Sequence, residues 1–209
     1  MIQIVALGDS TTAGTPGYSS PLEAPPSGSG DVTSQYAWWL TQRHPEWDVL
    51  NRGVNGQRTD EIAARFDRDV VQVAPMVVII IAGVNDVYQG LPASHPIEHL
   101  REMYLRTLRA GIGLVAGSIL PFNGATDDQN ARMREVNDWI RTYAARDSRM
   151  AFVDTRRAAS DPHDDTRLFD SPDGLHPSPA VYGRVAHALL PVLEDRISDL
   201  TGRTSTNRL

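Results

Sequence analysis

Ile2-Gln3-Ile4-Val5-Ala6-Leu7-Gly8-Asp9-Ser10 opens the chain with a strand-like apolar run that leads directly into a polar turn. Four more short runs repeat that character: Asp48 to Asn51, Val77 to Ala82, Gly113 to Ile119 and Ala151 to Asp154. Longer amphipathic stretches lie between them, and this alternation is the signature of a parallel sheet covered by helices on both faces. The predicted fold class is therefore α/β, a single three-layer α/β/α domain with about five parallel strands.

Several helices carry start signals. Ser34 precedes Trp38-Trp39-Leu40 and Thr59 precedes Asp60-Glu61-Ile62, both suited to cap a helix. Pro96 and Pro179 suit first-turn positions. From Ser178 to Leu193 the spacing of Val181, Val185, Ala188, Leu189 and Val192 predicts a packed closing helix. The domain is expected to span residues 1–200, with a polar tail over 201–209, frayed from Gly202 onward. Between Thr15 and Thr33 the chain is rich in Pro, Gly and Ser, far longer than an ordinary strand-to-helix loop of about 2 to 6 residues. A pocket rim or lid is the expectation there.

Composition narrows the function. The 209 residues are 41% hydrophobic, enough for one core, and carry a formal net charge of -6 with no basic block. Nucleic acid is therefore excluded as an expected partner. Every basic residue is arginine, which rules out a lysine Schiff base, and the absence of cysteine rules out thiol nucleophiles and disulfides. The longest apolar run, Met76 to Ala82, is far below the roughly 20 residues that span a bilayer, so no membrane span is expected. Without a basic n-region at its start the chain is expected to be cytoplasmic, or secreted as a processed form. Oligomeric state has no sequence signature here.

Chemistry gathers at the predicted strand ends, where ligands bind in open parallel sheets. Ser10 follows the first strand, Asn51 to Gly56 the second, Gly83-Val84-Asn85-Asp86 the third, and Pro121-Phe122-Asn123-Gly124 the fourth. Far downstream stands Asp173-Gly174-Leu175-His176-Pro177. A serine hydroxyl needs an imidazole to take its proton and a carboxylate to orient that imidazole. Ser10, His176 and Asp173 supply those three groups.

Four of these blocks, Gly8-Asp9-Ser10, Asn51 to Gly56, Gly83 to Asp86 and Asp173 to Pro177, in this order, resemble the SGNH hydrolase superfamily, also called the GDSL esterase/lipase family. One departure is Thr11, where the family's second name implies leucine. The resemblance implies a flavodoxin-like fold, no cofactor, Ser10 as nucleophile, His176 as general base and acid, and Asp173 as its orienting partner. It also implies an oxyanion hole made by the Ser10 N–H, the Asn85 side-chain amide and a second-block glycine. Gly56 fits that last role better by its distance from Asn51, with Gly53 as the alternative. Asp9 and Asp86 are read as braces of their turns, and Tyr88, Gln89, Phe122 and Asn123 as residues overhanging the site.

Other signals are set aside. His95 and His99 have helical ligand spacing, but Pro96 suggests a helix beginning between them and no third ligand accompanies them, so no metal site is expected. Asp161 to Asp165 lacks the register of a calcium loop and reads as a solvated loop. Trp38, Trp39 and Trp139 have apolar neighbours and are expected to pack rather than to select a ligand. The resemblance thus implies a serine carboxylic ester hydrolase acting through an acyl-enzyme on a small-molecule or glycan ester. Two substrate classes stay open: lipid-like or simple acyl esters and thioesters, lysophospholipids included, and O-acetyl groups on carbohydrates. A non-catalytic binding domain of the same fold is the remaining reading, which the completeness of the residue set opposes.

Overall fold

The computed structural model of the chain describes residues 1–206. Its central sheet has five parallel strands: β1 (Ile2–Gly8), β4 (Trp47–Gly53), β5 (Val77–Ile81), β6 (Gly113–Gly117) and β7 (Met150–Val153). Two small antiparallel pairs accompany it, β2 (Tyr18–Ser19) with β3 (Ser29–Gly30) and β8 (Ser160–Asp161) with β9 (Asp164–Leu168). The helices are α1 (Ser10–Ala13), α2 (Tyr36–Arg43), α3 (Thr59–Ala64), α4 (Val84–Tyr88), α5 (Ser94–Arg109), α6 (Asp127–Ala144), α7 (Thr155–Ala159) and α8 (Pro179–Thr206). All five expected sheet strands form, and the fourth is shorter than expected because the chain leaves the sheet after Gly117.

Period-two alternation sends successive strand residues to opposite faces. Val5, Leu7, Val78 and Ile80 join one core with Ile62, Leu100, Met103, Tyr104, Met133 and Val136 from α3, α5 and α6. Ile4, Ala6, Ile79 and Ile81 join the other with Tyr36, Leu40, Val181, Val185 and Leu189 from α2 and α8. Both faces of the sheet are dry, which explains why β5 reads as an unbroken apolar run rather than an alternating one. Each fully buried Ile in that strand contributes about 1.5–3 kcal/mol.

Two start signals move by a residue or more. Ser34 ends a short 3-10 turn (Val32–Ser34) that Asp31 caps by accepting from the Thr33 N–H at 3.0 Å, and α2 begins after it at Tyr36. Thr59 is the first helical residue of α3 rather than its cap, because the Glu61 carboxylate accepts from the Arg58 N–H at 2.9 Å and closes the turn one residue earlier. Pro179 opens α8, and Pro96 lies in the first turn of α5. The closing helix is longer than expected: it continues to Thr206, beyond the start of the expected tail, and residues 207–209 lie outside the described part. No helix of the described residues is long and apolar enough to cross a membrane.

Candidate active site

The sheet order β4-β1-β5-β6-β7 is 2-1-3-4-5 when the five strands are counted along the chain. The order reverses at β1, and at such a reversal the loops leaving the carboxyl ends diverge to opposite faces and open a crevice. Gly8, at the end of β1, pairs with Gly53 on one side and Ile81 on the other. Ser10, the turn after Gly53, and the turn carrying Gly83 to Asn85 therefore converge by register alone.

Asp9 shapes the serine turn. Its Oδ1 accepts from the Thr11 N–H at 2.9 Å and caps α1, which places Ser10 at the first helical position, where its own N–H has no helical acceptor. The brace read from the sequence is in place. Asp9 is 1% exposed and its Oδ2 has no hydrogen-bond partner among the described residues. Burial raises its pKa from 3.8 to about 7, with Asp86 adding to the rise, while the Thr11 N–H and the approach of the Gly83 amide oppose it.

A folded-state pKa above the unfolded one has a definite sign. Below about pH 4 both states hold the proton and nothing is lost; as pH rises from about 4 to about 7 the penalty on the folded state grows to on the order of 4 kcal/mol, and above about 7 it is constant. Asp9→Asn should therefore gain on the wild type by roughly that amount between pH 4 and pH 8, measured by urea unfolding at both values. A stability difference that does not move with pH would contradict a buried, neutralised Asp9.

The second block is held from within. Asn51 Nδ2 donates to Gln35 Oε1 at 2.7 Å and to the Ala13 carbonyl at 3.2 Å, and its Oδ1 accepts from the Gly53 N–H at 2.9 Å. That last bond occupies the Gly53 N–H. Gly53 is needed for a steric reason: a Cβ there would overlap the Ala13 backbone, so its absence lets α1 pack against β4. Gly56 has φ +77, which glycine adopts without strain, and its N–H has no acceptor among the described residues. Asn85, in α4, donates one Nδ2 hydrogen to the Gln57 carbonyl at 2.9 Å. The other hydrogen stays free. Asp86 is fully buried and accepts from the Thr59 N–H and Oγ1 at 3.0 and 2.7 Å, tying α4 to α3 as the brace expected of it.

The acid and the imidazole share one loop before α8. Asp173 Oδ2 lies 2.7 Å from His176 Nδ1, while Asp173 Oδ1 accepts from the Leu175 and His176 N–H groups at 2.9 and 2.8 Å. Burial alone would raise the Asp173 pKa, but the His176 side chain and the two amides more than offset it and bring it down to about 2. The carboxylate is ionised at any working pH. His176 Nε2 and Ser10 Oγ take no hydrogen-bond partner among the described residues. Asn123 steadies this loop, donating its N–H to the Gly174 carbonyl at 2.7 Å and accepting at Oδ1 from the Leu168 N–H at 2.9 Å.

Beside the loop is a cavity of about 430 Å³ lined by Tyr88, Phe122, Asn123, Gly124, Gln129, Asp173, Gly174 and Leu175. It unites three of the four residues expected to overhang the site. Tyr88 is half exposed, and its ring meets the buried Phe122 edge to face at 5.4 Å. Gln89, the fourth, turns aside: its Oε1 accepts from Arg58 Nη1 at 3.1 Å. Gln129 was not found from the sequence, where Thr126-x-x-Gln129 could be read only as a capping box, the role it also fills.

Elsewhere the structure revises the reading. The helix carrying His95 and His99 begins at Ser94, before both, so Pro96 does not separate them. His95 Nδ1 meets Asp86 at 2.7 Å, and Asp60, Asp86 and His95 present ligand atoms within 4.8 Å of one another, so acidic neighbours do accompany His95, though His99 is not among them. The Asp161 to Asp165 stretch carries the tight turn of the β8–β9 hairpin at Pro162-His163 together with the strand ends beside it, where Asp161 and Asp164 each accept from a backbone N–H two residues on. From the Thr15 to Thr33 segment, Tyr18, Pro21, Pro26 and Ser27 line a cavity together with Val49 to Arg52 of β4. Ser20 Oγ donates to the Gly53 carbonyl at 2.6 Å and Glu23 accepts from the Asn55 N–H at 2.8 Å, which fastens the segment to the Gly56 turn. Trp39 packs over Gly183 and Trp139 stacks on Tyr143, whereas Trp38 lines a cavity beneath that segment.

Residues 6–184 match the GDSL-like lipase/acylhydrolase family. An acetylxylan esterase from Geobacillus stearothermophilus is 30% identical over 155 residues, 68% of this chain and 70% of that protein. A G-D-S-L family protein from Desulfitobacterium hafniense superposes with a TM-score of 0.74 at 24% identity, covering 90% of this chain and 98% of that one. The structure of Axe2, an acetylxylan esterase from Geobacillus stearothermophilus, gives 0.71 at 24% identity, covering 91% and 93%. Likeness at such identities establishes the shared three-layer fold.

Proposed function

Since the chain belongs to the GDSL-like lipase/acylhydrolase family and is an ester-bond hydrolase, we propose that it removes short acyl groups, acetyl foremost, from a carbohydrate through an acyl-enzyme on Ser10. Ser10 Oγ attacks the ester carbonyl carbon as His176 Nε2 takes its proton, and Asp173 holds the imidazole with its Nδ1–H pointing at the carboxylate. Negative charge then develops on the carbonyl oxygen. The Ser10 and Gly56 N–H groups and the free Asn85 amide hydrogen receive it. Collapse of the tetrahedral intermediate expels the alcohol, which takes the proton from His176. Water, activated by the same imidazole, releases the acid and frees Ser10.

The observation that carries the choice of substrate is the lining of the cavity beside Asp173. It offers the Tyr88 ring and two side-chain amides, Asn123 and Gln129, each with an NH2 free of partners among the described residues. Aromatic faces and planar amide donors suit a sugar's C–H face and hydroxyl oxygens; a long acyl chain gains little from them. The likeness to an acetylxylan esterase points the same way. Of the two substrate classes left open by the sequence, the carbohydrate ester is thus favoured over the lipid-like one. A panel of nitrophenyl esters of increasing chain length, run beside an acetylated xylo-oligosaccharide, tests it. Acetyl preference with acetate release from the sugar is expected; activity that rises with chain length and spares the sugar would reverse the choice.

The oxyanion assignment has its own outcome. Asn85→Ala should lower kcat by about 100- to 1000-fold, because one fixed donor contributes roughly 2.7–4 kcal/mol to the transition state, with KM little changed. A loss expressed in KM alone would place Asn85 in substrate binding instead.

A further inference from the structure

Three turns must hold their donors in register for this chemistry; one buried guanidinium joins two of them directly, and the third, carrying Asn85, bonds to the second. Arg65, just past α3, is 9% exposed. Its Nη2 donates to the Gly8 carbonyl at 2.8 Å, two residues before Ser10. Its Nη1 donates to the Arg52 carbonyl at 2.9 Å near the end of β4, and to Asp69 Oδ2 at 2.7 Å. Its Nε donates to Gln57 Oε1 at 2.7 Å. Gln57 follows Gly56, and the Gln57 main-chain carbonyl is the acceptor that orients the Asn85 amide.

We propose that Arg65 is a positioning residue of the acyl-transfer site, fixing the Ser10 turn against the turn that carries Gly56 and aims Asn85. This rests on the roles given above to Ser10, Gly56 and Asn85. An ion pair with Asp69 alone would serve stability. Arg65 does more: its rigid planar fork spends its remaining donors on the ends of β1 and β4 and on the Gln57 side chain. Burial depresses the Arg65 pKa, and Asp69 opposes that shift. Lysine could keep the charge but, as a compact ammonium on a flexible stem, could not hold three diverging acceptors in one plane.

Misplacing catalytic donors by about 1 Å costs on the order of 100-fold in rate. Arg65→Lys should therefore lower kcat on nitrophenyl acetate by about 100-fold with KM within roughly threefold, since the pocket beside Asp173 is untouched. Arg65→Ala should recover at least about tenfold in kcat when guanidinium salt is added at a concentration that leaves its unfolding temperature unchanged; a purely structural role would tie any recovery to a rise in that temperature. Gln57→Met cuts only the link to the Gly56 turn on a half-buried side chain, and should lower kcat about tenfold while leaving the unfolding temperature nearly unchanged. It decides the matter if the Arg65 variants do not fold. Labelling of Ser10 by an organophosphate is measured alongside. If the wild type is labelled and active while Arg65→Lys and Gln57→Met keep kcat within about threefold, the positioning role is overturned and the catalytic reading stands. A wild type neither labelled nor active overturns both.

Discussion

Ser10→Ala should lower kcat on nitrophenyl acetate by about a million-fold, to the residue of catalysis that bound substrate and oxyanion donors supply without a nucleophile. The size follows from the division of labour. Alanine cannot form the acyl-enzyme, and the imidazole then has no hydroxyl to activate. Ser10 Oγ takes no hydrogen-bond partner among the described residues and alanine removes only that one atom, so the variant should unfold like the wild type. The decisive measurement is burst and steady-state release of nitrophenol. Turnover within tenfold of wild type would remove Ser10 from the mechanism, whatever the family resemblance.

The second large effect is expected at Asp173. Asp173→Asn should lower kcat by about ten-thousand-fold, because the amide presents a hydrogen rather than a lone pair to His176 Nδ1 and favours the tautomer whose Nε2 is already protonated. The carboxylate is also anchored by two backbone N–H groups, at 2.9 and 2.8 Å, so its direction is fixed before substrate arrives. Those anchors predict that Asp173→Asn keeps the loop in place and loses rate rather than fold. Activity unaffected by the change would mean that another group orients the imidazole. The pH dependence is separable from that of Asp9, since Asp173, held down to about 2, stays charged throughout the range in which Asp9 titrates.

The chemistry was legible early because it is carried by residues close in sequence. Asp173 and His176 meet across three residues, and Asp9 caps the turn it belongs to, so short motifs state those contacts almost completely. The starts at Ser34 and Thr59 shift because residue type alone does not say which hydrogen bond closes the turn: Asp31 caps a short 3-10 turn that takes up Ser34, and Glu61 accepts from the Arg58 N–H, one residue before Thr59. The long segment after Ser10 could be flagged by its length alone. Its fastening to Gly53 and Asn55 depends on residues some thirty positions away.

By itself the sequence determined the sheet, its covering helices, and the serine, histidine and aspartate that the family places at one edge. Those features rest on periodicity and on local hydrogen-bonding groups, which a linear string records. Only the tertiary structure shows the Gly53 N–H given to Asn51 and the Gly56 N–H left without an acceptor among the described residues, which is what the proposed oxyanion role of Gly56 rests on. It alone joined Arg65 to Gly8, Arg52 and Gln57, and brought Tyr88, Asn123 and Gln129 around one cavity. The physical reason is the same in each case. A polar atom's role is set by which partner packing brings within about 3 Å, and across a parallel sheet that partner lies tens of residues away in the chain.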